Sequence, residues 1–316
     1  MSKNKIQFQK GLSMANFMEA YGSEDQCFSE LVRMRWPFGF ECPRCGHKEC
    51  GRIKTRETLF QCSLCQSQTS VTAGTIFHST KLPLTKWFLA MYLMTQGKNG
   101  ISQLELARQL GVSSNTGAMI YHKLAQVMLE RDDKKPLAKE KVEIDDAYWG
   151  GKKPGKRGRG SENKIPFIAA VEKDTEGHPL RIKLNVLAGL RKQEIKRWAQ
   201  KHIQPGTNIV SDALPCFLGL KEAGLNHHSL VVGNSKDPKK TAPFNWVNTI
   251  LGNLKSSLAG THHKLSRNHV PRHLATFQYR FNRRFSLKNL LPKLVYASLR
   301  IPPMPGRLLK LIEPNW

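Results

Sequence analysis

The chain has 316 residues, with 50 Lys and Arg against 24 Asp and Glu, a formal net charge of +26. Hydrophobic residues make up 40%, enough to bury a core, which excludes a wholly disordered chain. The length fits two or three domains, and so large an excess of positive charge makes a polyanion the expected partner rather than a small metabolite.

Met1–Lys10 is polar with no apolar run behind it, so no secretory leader is expected there. The longest apolar run, Trp87–Met94, has eight residues, against the ~20 that a bilayer requires. A cytoplasmic, reducing compartment and no membrane partner are therefore expected, and the seven cysteines read as thiols or metal ligands rather than disulfides.

Residues 1–80 hold six of those cysteines. Cys42-Pro-Arg-Cys45 and Cys62-Ser-Leu-Cys65 are two Cys-x-x-Cys pairs with 16 residues between them. Each pair presents two sulfurs from one tight turn, and together they make a tetrahedral four-thiolate site for structural Zn2+. Gly46 permits the positive φ that such a turn often needs. His47 and Cys50 lie near enough in sequence to compete as ligands, whereas Cys27 and Cys216 read as structural. The site has no open position, so its role is in folding, and region 1–80 is expected to be a zinc ribbon.

Residues 81–135 are helical in pattern. Thr85 is placed to cap a helix over Lys86–Gln96. Ile101–Leu129 reads as helix, turn, helix. Leu104, Leu106, Ala107 and Leu110 make one apolar side, Gly111-Val112 the turn, and Ser113 or Ser114 the cap of a second helix. That helix carries Met119, Ile120, Leu124 and Met128 at helical spacing. Ala107 and Gly111 are spaced as in helix-turn-helix units that lay the second helix in the major groove. Gly117 departs from that pattern, standing where an aliphatic usually packs. Ser114, Asn115, Tyr121, His122 and Lys123 are the candidate DNA contacts. The charged stretch Arg131–Lys139, interrupted by Pro136, marks a boundary before a last domain at 140–316.

Lys141–Gly151 (KVEIDDAYWGG) reads as a buried strand ending in paired acids and an aromatic-Gly-Gly turn. Tyr148 and Trp149 read as packing residues beside the acids. Lys152–Arg159 follows as a basic loop, in which Lys152, Lys153 and Arg157 are candidate phosphate contacts. Ile165–Val171 and Leu180–Val186 are strands of an antiparallel meander, Arg191–Gln200 is a helix, and Asn208–Asp212 is a short strand ending in an acid. This element order is similar to that of RNase H-like α/β cores, where neighbouring strand ends bring acids together. Carboxylates converging in so basic a chain suit Mg2+ and phosphodiester chemistry, because Mg2+ is hard and prefers oxygen. Residues 238–312 contain no Asp or Glu but 14 Lys and Arg. They include a helix around Asn245–Leu258 with Asn248 and Lys255 two turns apart on one face. The four histidines His262, His263, His269 and His273 read as phosphate or solvent contacts.

These motifs together resemble the bacterial insertion-sequence transposases that join a zinc ribbon to a DDE-type catalytic domain, in the subgroup with Asn as third member. The residues carrying the resemblance are the ribbon cysteines, EIDDAYWGGK from Glu143, VSDA from Val210, WVNTILGNLKSSLAGTHH from Trp246, and QYRFNRRF from Gln278. It implies that Asp145, Asp212 and Asn248 hold two Mg2+ or Mn2+ ions, with Lys255 seven residues beyond the Asn. Asp146 matches a position where a second acid is common. Arg280, Arg283 and Arg284 would clamp DNA, and relatives often carry Glu where this chain has Thr276.

The implied protein is a DNA transposase. Its ribbon and helical segment would bind terminal inverted repeats, and its catalytic domain would cleave the ends and join the 3′-hydroxyl to target DNA. It would work as a homo-oligomer, associated with the nucleoid when bound to DNA. The alternative is a zinc-ribbon DNA-binding protein without catalysis, as in a decayed copy.

Overall fold

The computed structural model describes residues 10–53, 56–138, 141–150, 164–231, 242–262 and 265–310. They divide into two compact units, one running to Val127 and taking in Phe285–Leu309, the other comprising chiefly Met128–Arg284. Lys152, Lys153, Arg157 and His263 lie outside the described residues.

The first unit opens with helices α1 (Met14–Tyr21) and α2 (Glu24–Arg35). Ser23 and Gln26 form a reciprocal capping box at the start of α2, satisfying two otherwise orphaned backbone donors. A three-stranded antiparallel sheet follows, from β1 (Cys50–Ile53), β2 (Arg56–Cys62) and β3 (Gln68–Ser70). Phe28, Trp36, Phe40 and Phe60 pack ring against ring beside it, most of the apolar mass this small sheet has. Helices α3 (Leu84–Gln96), α4 (Gln103–Leu110) and α5 (Ser114–Asp133) come next. Thr85 does not cap α3. The helix begins one residue earlier, and Glu24 of α2 accepts from the Leu84 and Thr85 amides at 2.8 and 3.2 Å. The carboxylate is well placed there by charge, at the positive end of the helix dipole.

The segment Phe285–Leu309 belongs to this unit although sequence texture groups it with 140–316. Its helix Leu290–Ser298 buries Leu290, Leu291, Leu294 and Val295 and packs on α2 and α3. The Ser298 carbonyl accepts from the Ile76 amide at 3.4 Å.

At the α4–α5 crossing, Gly111 ends α4 in the left-handed region, φ 59°, and the Ser113 side chain accepts from the Thr116 amide at 3.3 Å. The departure at Gly117 has a steric cause. A Cβ there would lie 2.5 Å from the Ala107 Cβ and 2.9 Å from its Cα. The two helices therefore touch backbone to backbone, and an aliphatic has no room. Gly117→Ala is accordingly expected to lower stability by about 1–3 kcal/mol through overpacking, although helix propensity alone would raise it by about 1 kcal/mol. Thermal melting reads the sign.

The second unit is built on a five-stranded sheet in the order β6-β5-β4-β7-β8. Its strands are β4 (Lys141–Trp149), β5 (Ile165–Lys173), β6 (Pro179–Val186), β7 (Asn208–Asp212) and β8 (Asn226–Leu230). The first three form an antiparallel meander, and β7 and β8 lie parallel to β4. Helix α6 (Lys192–His202) makes the crossover from β6 to β7, and α7 (Leu218–Glu222) lies between β7 and β8. This is the RNase H-like strand order, and the fold is α/β as the element pattern implied.

Strand alternation sorts the sheet into two faces. Val142, Ile144, Ile168 and Ala170 share a core with α6 and α7. Ala147, Phe167, Ala169 and Val171 share the other with helices α8 (Asn245–Thr261) and α9 (Val270–Phe281). Trp149 packs at the margin of this second core, as a packing residue should.

The outer edge of β6 is occupied by side chains. Gln278 Oε1 accepts from the Leu184 amide at 2.7 Å, and Asn282 Oδ1 accepts from the Ile182 amide at 2.7 Å while its amide donates to the Ile182 carbonyl at 3.0 Å. Arg284 donates to the Leu180 carbonyl at 3.0 Å and also to that of Pro179. These groups stand in for a further strand and close an edge that would otherwise invite pairing.

Candidate active site and zinc centre

Asp145 and Asp212 meet because of register. β4 and β7 run parallel with Ile144 opposite Ser211, so the next pair is Asp145 beside Asp212, at the strand spacing of about 4.8 Å. By alternation both fall on the face covered by α8. Asp146, next along the strand, joins them: carboxylate oxygens of Asp145, Asp146 and Asp212 lie within 4.8 Å of one another. All three are half-buried. The Asp146 amide donates to Asp145 Oδ1 at 2.8 Å, and the Leu214 amide to Asp212 Oδ1 at 3.3 Å. Three carboxylates so spaced fit a hard divalent cation, whose ligand oxygens stand about 3–4 Å apart in octahedral geometry.

Helix α8 lies over this face with Val247, Ile250, Leu251, Leu254 and Leu258 turned into the core. Asn248 and Lys255 fall between those positions and are exposed. Sequence reasoning passed over Glu143, which is 1% exposed. It is two residues before Asp145, and the period-2 alternation that puts both on one face was the available signal.

Two arginines of the QYRFNRRF block, Arg283 and Arg284, serve the protein interior. Arg283 Nη2 is 2.6 Å from Asp132 Oδ1, and its guanidinium lies 3.6 Å from the Tyr279 ring centre. Gln278 and Asn282 donate to the other oxygen of Asp132 at 3.3 Å. Arg284 is held by backbone carbonyls, as above. Arg280 is half-buried near His262, whose pKa falls to about 4 through burial and then through the Arg280 charge. His262 is thus uncharged at neutral pH and adds nothing to a cationic surface. His273 is 1% exposed, which corrects its reading as a phosphate or solvent contact. Thr276 is buried too, its hydroxyl donating to the His273 carbonyl at 2.8 Å. Arg283→Ala is expected to cost about 3–5 kcal/mol, because Asp132 would be left buried and uncompensated. That is roughly 10 °C in melting temperature for a domain of this size, with DNA affinity at fixed salt little changed. A weaker affinity at unchanged melting temperature would return Arg283 to the DNA surface.

The four ribbon sulfurs are brought together as their spacing implied. Cys42 and Cys65 sulfurs are 3.6 Å apart, as are those of Cys45 and Cys62, and all four lie within 4.8 Å of one another. A tetrahedron with Zn–S bonds of ~2.3 Å has edges of about 3.8 Å. Both turns repeat one pattern. Cys42 N–H donates to the His47 carbonyl and Gly46 N–H to the Cys42 carbonyl, while Cys62 N–H donates to Ser67 and Gln66 N–H to Cys62. Gly46 has φ 74° and Gln66 φ 56°, so the second turn manages the left-handed conformation without glycine. His47 is not a ligand here: its Nε2 is 3.0 Å from the Ser63 hydroxyl. Cys50 also lies outside the four-sulfur group.

In the helical segment Ser114 and Asn115 are exposed at the first turn of α5. Tyr121 and His122 are buried, at 2% and 8% exposure, which withdraws them as DNA contacts. His122 Nε2 pairs with Gln103 at 3.1 Å. Lys123 is half-buried with its ammonium 5.9 Å from the Trp87 ring centre, and desolvation lowers its pKa.

Strand order, with acids at the ends of neighbouring strands, defines the second unit as an RNase H-like domain. Residues 137–282 match the ISXO2-like transposase domain and residues 22–68 the transposase zinc-ribbon domain. The chain therefore carries the two domains of an insertion-sequence transposase. A protein of Halobacterium salinarum, described as an uncharacterized protein in transposable element ISH50, is 26% identical over 175 residues. That match covers 50% of this chain and 58% of the relative, so the chain spans under two thirds of its length. Among solved structures, the Mos1 strand transfer complex aligns over 63% of this chain and 77% of that one, at 12% identity and a TM-score of 0.22. The Mos1 mariner paired end complex with Mn aligns over 60% and 74%, also at 12% and 0.22. Among the described residues no helix is long and apolar enough to cross a membrane.

Proposed function

We propose that this chain is a DNA transposase that cuts the ends of its own element and joins them to target DNA. The observation that supports this best is the convergence of Asp145, Asp146 and Asp212 at neighbouring strand ends in a chain of charge +26. A protein that only binds DNA gains nothing by presenting carboxylates to phosphates. Mg2+ or Mn2+ bound there would supply charge neutralisation and Lewis acidity at the phosphodiester. Asp145 and Asp212 hold the cations, and Asp146 is within reach as a third carboxylate. Asn248 offers a carbonyl oxygen, and Lys255 a point charge for a phosphate.

The attacking oxygen comes first from water and then from the liberated 3′-hydroxyl, so no side chain need act as nucleophile. Ser114 and Asn115 at the start of α5, together with the ribbon, read the terminal repeats. The basic segment with Lys152, Lys153 and Arg157 and the half-buried Arg280 add backbone contacts. Two ends must be held at once, which calls for a homo-oligomer.

The test is an assay of the full chain with Mg2+ or Mn2+ and a labelled duplex carrying the ends of the surrounding element. Strand-specific nicks and joined products are expected. Tight binding of the ends with no cleavage in either metal would make the chain a DNA-binding protein without catalysis.

A further inference from the structure

Glu143 is a fully buried carboxylate that the chemistry above does not use. Its Oε2 accepts from the Val247 amide at 2.8 Å, and its Oε1 from Lys173 Nζ at 2.8 Å. Val247 is the third residue of α8, and Phe244 at that helix's N-cap supplies no side-chain cap. Glu143 therefore caps α8 from the sheet, at the end where the helix dipole favours an anion. A second tie on the same turn runs from Trp246 Nε1 to the Gly177 carbonyl at 2.7 Å. Covalent neighbours complete the link: Asp145 is two residues beyond Glu143, and Asn248 is the residue after Val247.

Resting on the catalytic reading above, we propose that Glu143 is a positioning residue, whose carboxylate sets the first turn of α8 so that Asn248 stands in fixed register with Asp145 and Asp212. Two features argue for position over mere cohesion. α8 already has five buried aliphatic residues in the core, so its attachment to the sheet does not depend on Glu143. The hydrogen bond from Glu143 goes to one named amide of the first turn, next to Asn248. An ionised carboxylate is also an expensive way to fill space, and Lys173, 18% exposed at its side chain, is there to balance its charge.

The test uses the full chain, Mn2+ and the labelled element ends. Glu143→Leu removes the acceptor at similar volume, and Lys173 can turn its ammonium to water, so the fold should survive; melting is recorded for every variant. Cleavage by Glu143→Leu is expected to fall about 100-fold, whereas Glu143→Gln, whose amide oxygen still accepts from Val247, should recover at least about tenfold of that loss. In an Asn248→Ala background the same Glu143→Leu change should cost less than about threefold, since residues acting through one another are not additive. Equal losses in both backgrounds, or no rescue by Gln, would overturn the positioning role while leaving the transposase reading intact. A wild-type chain that binds the ends and cuts nothing would overturn both.

Discussion

Asp145→Asn or Asp212→Asn is expected to reduce end cleavage and joining by at least ~1,000-fold. Each substitution keeps the shape of the side chain and removes the charge that holds a divalent cation against a phosphodiester. Losing a single preorganised neutral donor in other active sites already costs 10²–10³, and here the cation itself is weakened. Binding to the ends should hold or tighten slightly, because one fewer carboxylate then faces phosphates. Asp146→Asn is expected to lower cleavage as well, since its carboxylate lies within 4.8 Å of those of Asp145 and Asp212. A gel that resolves nicked, joined and bound species reads all of this together. Cleavage retained within tenfold in Asp145→Asn would sink the site assignment.

Removing zinc is expected to unfold the ribbon outright. Structural zinc contributes roughly 10–16 kcal/mol in small four-ligand sites, and the sheet here has little else beyond Phe28, Trp36, Phe40 and Phe60. Chelation, or Cys45→Ser, should cost the near-ultraviolet signal of those rings and the binding of element ends, with zinc falling from one equivalent per chain. The RNase H-like unit, with its two cores on either side of the sheet, should keep its own melting transition. A ribbon that keeps its ring signal after full zinc loss would show that the four sulfurs are packing residues.

Local chemistry makes much of this legible in the sequence. The two Cys-x-x-Cys turns are short-range objects whose spacing specifies their geometry. β4, β5, β6 and β7 are apolar runs with clear ends, and an acid closing two of them already suggested that the ends adjoin. What escaped is set by distant partners. β8 has only His227 buried among NHHSL, so no hydrophobic pattern marks it. Glu24 caps α3 from 60 residues away. Tyr121 and His122 look like polar groove contacts until the packing around them is known, and Arg283 and Arg284 look like a phosphate clamp until Asp132 and the β6 edge are in place. Gly117 departs from the helix-turn-helix pattern, and a contact ten residues earlier in the chain makes it a requirement.

The sealed margin of β6 bears on how copies of this chain can meet. Among the described residues β8 is the other end of the sheet order, so strand addition from a neighbour has one direction open to it. On that side the polar Asn226 and His228 are exposed, and beyond them Leu230 and Val231. Growth of the sheet into a polymer needs two open margins, and among the described residues this one offers a single margin. Copies of this chain can therefore come close together without their sheets joining end to end.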